Sequence, residues 1–284
     1  MQGQLPSFML NNNRISNGNM AKGAIPWVVA LWIPMGDGKT MCTGTILDSL
    51  TILTARHCII GHPKIKGKLS KYYVKAGSPY SEGGIMVSVK RIILLNDELW
   101  TNEKQTKYGD SSNRDMAILK LNHPLPLSQD IMPLCLPDET FKYYHGTHCF
   151  IAGWGITGTE TRSLSWSKTQ ILPSAVHGLC TLEDNIFCTM STTPPYGSTC
   201  SGDSGSSLVC MQGKVPVLAG VLNGGTGCGK EHSFKIWTKT VPYFDWINHY
   251  MVSYKQISGK YFPRYIYTVL TFILLKPTGT SKCS

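Results

Sequence analysis

Three separated stretches of the chain carry residue types that do chemistry together. "LTARHC" ends in His57 and Cys58, "RDMAILKL" places Asp115 ahead of an apolar run, and "CSGDSGSSLVC" sets Ser204 among glycines and an aspartate between Cys200 and Cys210. Taken singly, each has a plain structural explanation. Gly, Asp and Ser build tight turns, a lone histidine is usually a satisfied structural residue, and an aspartate at a strand start is usually a turn or cap. Taken together they match one reaction type. A serine hydroxyl is a poor nucleophile until an imidazole accepts its proton, and the imidazole needs a carboxylate on its other nitrogen to fix its tautomer and stabilise its charged form.

The elements that must position these residues read as short strands. "WVVALWI", "TGTILDSLTILTARHC", "MAILKL" and "PVLAGVL" recur between Gly, Pro, Asn and Ser clusters, the spacing of antiparallel barrels or sandwiches. One helix is expected in "VPYFDWINHYMVSY", where Tyr243, Trp246, Ile247, Tyr250, Met251 and Tyr254 share an apolar face. The proline-broken "NHPLPLSQDIMPLCLPD" divides the chain into two halves, and no repeat of solenoid or propeller period occurs. A tail follows the helix. Its apolar run "YIYTVLTFILL" has eleven residues, short of the ~20 that a spanning helix needs, and reads as hydrophobic packing or an interfacial contact.

Composition narrows the classes. At 284 residues with ten cysteines, the chain shows no paired C-x-x-C and no cysteines combined with spaced histidines, so a zinc site is not expected. The loop "GSPYSEGG" lacks the paired carboxylates that calcium requires. No metal or cofactor is expected. An even number of scattered cysteines points to disulfides and an oxidising compartment, and so to a secreted, lumenal or cell-surface location. The stretch from Met1 to Arg14 holds no apolar core of signal-peptide length, which leaves room for a leader upstream, and no N-x-S/T sequon occurs. The net charge of +10 comes without a nucleic-acid motif, so nucleic acid is not an expected partner. The densest basic run holds Lys64, Lys66, Lys68, Lys71 and Lys75 and reads as an exposed loop that attracts acidic partners.

The order His57, Asp115, Ser204, each in its own motif, resembles the chymotrypsin-like (trypsin-like, S1-type) serine endopeptidases from Ile15 to about Met251. The resemblance implies an all-β fold of two antiparallel Greek-key barrels, at about 27–123 and 134–240, with the active site between them and a C-terminal helix. It implies that Ser204 attacks, His57 relays the proton, Asp115 orients His57, and the N–H groups of Gly202 and Ser204 bind the oxyanion. "NNNRISNG" resembles an activation junction, so residues 1–14 would be a propeptide cut between Arg14 and Ile15, with the new Ile15 amine pairing with Asp203. Residues 252–284 would form the tail. The resemblance also pairs Cys42 with Cys58, Cys149 with Cys210, Cys180 with Cys188, and Cys200 with Cys228. Cys135 and Cys283 remain. The partner of Cys135 is expected either upstream of Met1 or in the tail.

Departures from the family concentrate where substrate would bind. The pocket base falls at Ser198, where trypsin-type enzymes carry Asp, and Lys235 stands at a wall position that is usually glycine. A lysine in an apolar pocket is costly to desolvate unless a negative charge joins it, so cleavage after Asp or Glu is expected; the alternative is that Lys235 plugs the pocket or reaches solvent. "NGG" replaces the usual Ser-Trp-Gly, with Asn223 near the triad aspartate, Gly224 in place of an indole and Gly225 offering backbone to the substrate strand. Arg56 replaces a small residue beside His57, and Ser206 and Ser207 replace Gly-Pro after the nucleophile. Two functions therefore compete. One is a secreted endopeptidase made as a zymogen, with protein or peptide substrates, an activating protease and protein inhibitors as partners, and a tail that offers membrane association. The other is a weak or silent homologue acting as a binding module.

Overall fold

A computed structural model describes residues 19–21, 23–60, 69–95, 114–155, 163–173, 185–191, 198–228, 230 and 233–251. The run "WVVALWI" becomes β2 (Val28–Met35), which pairs with β3 (Gly38–Asp48) and β5 (Tyr73–Ala76). With β4 (Thr51–Thr54), β6 (Ile85–Leu94) and β7 (Ala117–Leu121) these strands close a barrel in the order β2-β3-β4-β7-β6-β5. Val29, Ala30, Leu31 and Ile33 in β2 and Ile118 and Leu119 in β7 are fully buried. Each such Leu or Ile contributes about 1.5–3 kcal/mol by leaving water, which is why β-branched and aliphatic residues dominate these strands.

The second half forms a sheet in the order β1-β9-β10-β13-β12-β11-β8. Its strands are β8 (His148–Gly153), β9 (Ser165–Ile171), β10 (Ile186–Met190), β11 (Ser207–Gln212), β12 (Val215–Gly225) and β13 (Phe234–Lys239), and β9 also pairs with β8. That last pairing joins the two ends, so six strands form the second barrel. The short β1 (Asn19–Met20) adds to β9 beside Ser165 and Trp166, which the sequence did not announce.

Two apolar clusters hold the halves. The larger spans both, joining Leu31 and Ile118 of the first barrel to Trp154, Trp166, Val221 and Ile247 of the second half and the helix. The smaller lies within the second barrel around Phe187 and Trp237. The proline-rich connector runs between the barrels, where Cys135 bridges in parallel to Val217 of β12. The expected helix is present but short. A single 3₁₀ turn (Val241–Tyr243) opens it at Pro242, and α2 covers Phe244–Tyr250 with Ile247 buried. Residues 252–284, including the apolar run of the tail, lie outside the described residues. Among the described residues, no helix is long and apolar enough to cross a membrane.

Candidate active site

The antiparallel register brings the first two chemical groups together. Thr54, the last residue of β4, lies opposite Ala117, the first of β7, so the segment leaving β4 meets the segment entering β7. His57 opens the short helix α1 (His57–Ile60) on one side, and Asp115 sits on the other. Both carboxylate oxygens of Asp115 serve His57. Oδ1 accepts the His57 backbone N–H at 2.7 Å, and Oδ2 lies 2.6 Å from Nδ1. The Asp115 side chain is buried at 6 % exposure while the His57 ring is 36 % exposed, so one imidazole edge is fixed and the other is open. Burial alone would push the imidazolium down, but the hydrogen bond and charge of Asp115 outweigh it and raise His57 above its ordinary value of 6.5.

Ser204 comes from the other barrel and is pinned from both sides. The backbone N–H of Thr43 in β3 donates to the Ser204 carbonyl at 2.8 Å, and the Thr43 hydroxyl donates to the Gly202 carbonyl at 3.0 Å. Behind it, the Gly205 N–H donates to Leu222 and the Leu222 N–H to Ser206, which fastens the loop to β12. Gly205 has φ +81°, and a Cβ there would run into Thr43, Thr54 and the Ala55 amide. Only glycine fits where the loop carrying Ser204 touches the strand leading to His57. Gly202 also holds a left-handed φ of +101°. Among the described residues, no hydrogen bond occupies the N–H groups of Gly202 and Ser204. Thr43 carried no signal in the sequence, because nothing local marks a threonine that docks a loop 159 residues away.

Asp203 points away from the serine into a closed site. Its oxygens accept the N–H groups of Gly155 at 2.7 Å and Cys200 at 2.8 Å. A Cβ on Gly153 or Gly155 would overlap the carboxylate, and the intervening Trp154 is anchored by its indole N–H to the Pro79 carbonyl at 3.1 Å. Burial pushes Asp203 up to about 6, against the pull of those two amides and of the Lys235 charge. Arg14 and Ile15 lie outside the described residues.

Of the residues expected to line the pocket, Lys235 and Gly225 are neighbours and Ser198 meets Ser233. Lys235 in β13 pairs with Gly225 of β12, and its side-chain stem lies against that glycine. The residue is only 6 % exposed, and its ammonium donates to the carbonyls of Thr226 and Gly227, at 3.1 and 2.5 Å. Burial pulls Lys235 down to about 8, with Asp203 acting in the opposite direction. The Ser233 hydroxyl donates to that of Ser198, the expected pocket base, at 3.4 Å. Thr226 and Gly227 were not anticipated. Asn223 lies in β12, and open space surrounds the position a Cβ on Gly224 would take.

Disulfides join Cys42 to Cys58, Cys149 to Cys210 and Cys200 to Cys228, as the resemblance implied. Cys135 and Cys188 are also disulfide-bonded; the Cys180–Cys188 pairing and the partner of Cys135, together with Cys283, fall on residues outside those described. Of the basic run, Lys64, Lys66 and Lys68 are likewise outside, while Lys75 pairs with Glu82 at 3.0 Å. No group of three or more potential metal ligands occurs among the described residues.

A family model described as Trypsin matches residues 15–247. Vitamin K-dependent protein C of Rattus norvegicus is 26 % identical over 253 residues, covering 84 % of this chain and 52 % of that protein. The chain therefore spans about half the length of that curated relative.

Proposed function

We propose that this chain, which belongs to the trypsin family across residues 15–247, is a serine endopeptidase that hydrolyses peptide bonds. The observation that carries the proposal is Asp115 holding His57 by both carboxylate oxygens, with the opposite imidazole edge exposed. Ser204 attacks the scissile carbonyl while His57 takes its proton. Asp115 steadies the imidazolium, which returns the proton to the departing amine, and water then repeats the sequence on the acyl-enzyme. The N–H groups of Gly202 and Ser204, which no described residue occupies, receive the oxyanion, a contribution of roughly 3–4 kcal/mol in hydrolases of this type. This arrangement favours the enzyme over a silent binding module.

Activation by cleavage between Arg14 and Ile15 is part of the proposal. Asp203 is a buried carboxylate held by two neutral amides, and an arriving ammonium at Ile15 would supply the full charge that such a group lacks. The pocket carries no acidic base for a basic side chain, so a different protease performs that cut. The disulfides support an extracellular setting, with protein or peptide substrates and protein inhibitors as partners and surface association through the tail.

For specificity, the reading is cleavage after Asp or Glu. An ammonium has three protons, and the Thr226 and Gly227 carbonyls use two, which leaves one for a substrate carboxylate. The Ser198 hydroxyl accepts from Ser233 and keeps its own proton as a further donor. A panel of fluorogenic peptides varying the residue before the scissile bond tests this, with fastest turnover expected after Asp or Glu. Fastest turnover after Arg, Lys or Phe contradicts it and leaves Lys235 as a plug.

A further inference from the structure

We propose that Lys39, held on Trp32 and Tyr73 and paired with Glu82, is a second recognition site, which takes an acidic side chain about three residues after the scissile bond of a protein substrate. The proposal rests on the serine endopeptidase reading. It concerns the half of the substrate that leaves as the amine, which the pocket at Lys235 does not touch.

The register of the first barrel places these side chains on the face that docks Ser204. Thr43, which holds the Ser204 loop by its amide and its hydroxyl, lies opposite Ala30, and Ala30 lies opposite Lys75 of β5. Met41, Trp32 and Tyr73 form the next row on that face. Paired residues of antiparallel strands share a face and so do alternate residues of one strand, so Thr43, Met41 and Lys39 follow it along β3. The Ser204 loop lies between β12, which it meets through Gly205, Ser206 and Leu222, and β3, which it meets through Thr43. On the proposed reading, substrate residues before the scissile bond lie on the β12 side, with Gly225, Ser198 and Lys235, and those after it pass along β3. Lys39 is two alternations beyond Thr43, about 13 Å of strand, and its ammonium leans back over Trp32, whose register partner is Met41. The ammonium is therefore reached roughly 7–13 Å along β3, a span that an extended peptide covers by about its second to fourth residue.

The cluster holds one carboxylate and keeps charge for another. Lys39 donates to the Tyr73 hydroxyl at 3.0 Å and to Glu82 at 3.4 Å, and its ammonium stands 4.1 Å from the Trp32 ring centroid. Trp32 and Tyr73 stack with centroids 6.4 Å apart, and the Trp32 indole N–H is anchored on the Ser81 carbonyl. Lys75 donates to the other Glu82 oxygen at 3.0 Å. Two ammoniums thus share a single carboxylate among the described residues, and the surplus charge falls on Lys39, 47 % exposed, rather than on Lys75, 16 % exposed. An ammonium has three protons, and Tyr73 and Glu82 take two of those on Lys39, which leaves one for an incoming carboxylate. The ring contacts already restrict the lysine side chain, so little of its rotamer freedom remains to be lost when a ligand arrives. Met86, opposite Lys75 on β6, is exposed and extends the site with an apolar edge for a neighbouring side chain of the peptide.

The test uses enzyme processed after Arg14 and internally quenched peptides that are identical up to the scissile bond and carry Glu, Gln or Lys at one of the first five positions after it. At the third position or a neighbour of it, kcat/KM is expected to be about threefold higher for Glu than for Gln and about tenfold higher than for Lys, a difference that shrinks as salt rises. The readout is the Glu-to-Lys ratio, in which a general change of activity cancels. Lys39→Gln is expected to bring that ratio close to unity. Lys39→Glu is expected to invert it, which a merely structural role for the lysine would not do. A ratio of unity in the unaltered enzyme, or a Glu preference that survives both substitutions, overturns the proposal. Fluorescence anisotropy of dye-labelled Glu and Lys peptides on the Ser204→Ala chain reads the same preference without turnover. Tighter binding of the Glu peptide that Lys39→Gln abolishes, in a chain that cleaves nothing, upholds the site and removes the endopeptidase reading. Cleavage and binding that both ignore the charge overturn the site and leave the endopeptidase reading intact.

Discussion

At the scale of single residues, the Asp115–His57 pair is expected to set both the rate and its pH dependence. Because Asp115 raises the imidazolium above 6.5, activity is expected to fall as pH drops through that raised value, and Asp115→Asn is expected to lower kcat by about 10⁴-fold through the wrong tautomer. A pH–rate profile of kcat/KM for both enzymes checks this, and an acid limb lying below 6.5 in the unaltered enzyme contradicts it. Next to the nucleophile, Ser206 and Ser207 are fully buried, with hydroxyls that find no partner among the described residues. Each orphaned hydroxyl costs about 1–3 kcal/mol, so Ser207→Ala is expected to raise Tm by roughly 2–4 °C or more without loss of activity. Thermal denaturation measures it, and an unchanged or lowered Tm shows that the hydroxyl is satisfied. Residues of this kind are legible in the sequence only in part. His57, Asp115 and Ser204 stand in contiguous motifs, whereas the destination of the Lys235 ammonium depends on how β12 and β13 register, which no local pattern encodes.

At the scale of elements, the site depends on close approaches that a side chain would block. Gly155 places its N–H on Asp203 with no room for a Cβ, so Gly155→Ala is expected to displace the carboxylate and to slow acylation by at least tenfold while the triad pair stays formed. Labelling kinetics compared with binding of a small histidine-directed probe separate the two effects, and unchanged labelling contradicts the close fit. Helix α2 is fastened in a comparable way. Its one buried residue is Ile247, and the ammonium of Lys120 in β7 donates to the Tyr250 carbonyl and the Thr51 hydroxyl, both at 2.6 Å. Replacing that cation by Lys120→Met is expected to cost about 1.5–3 kcal/mol, read from denaturant unfolding. A cost near zero shows that Ile247 alone holds the helix. Strands β2, β3, β4, β7 and β12 were legible because their apolar runs ended at turn residues. Strand β1 was not, since two residues make no periodic pattern, and α2 is shorter than its apolar spacing because a 3₁₀ turn takes Tyr243 at one end and Met251 is extended at the other.

At the scale of the whole molecule, two barrels each supply what the other lacks: β4 and β7 bring His57 and Asp115, and the loop before β11 brings Ser204. The disulfides between Cys42 and Cys58 and between Cys200 and Cys228 close the segments that carry His57 and Ser204. Under the proposed acidic specificity, the charge of Lys235 makes substrate preference depend on pH. Its ammonium is lost as pH rises through about 8, so the preference for Asp and Glu is expected to fade above that pH even where His57 is fully in its basic form. The ratio of kcat/KM for a glutamate and a leucine peptide, followed from pH 6 to 10, measures it; a ratio that stays flat contradicts the role of Lys235 in the pocket. The central claim, that Ser204 is an activated nucleophile, has a more direct test. The chain is cut after Arg14 and treated with a fluorophosphonate, and the modified residue is located by mass spectrometry. A single adduct on Ser204, absent from Ser204→Ala, is the predicted result; no adduct, or one that persists in Ser204→Ala, contradicts it.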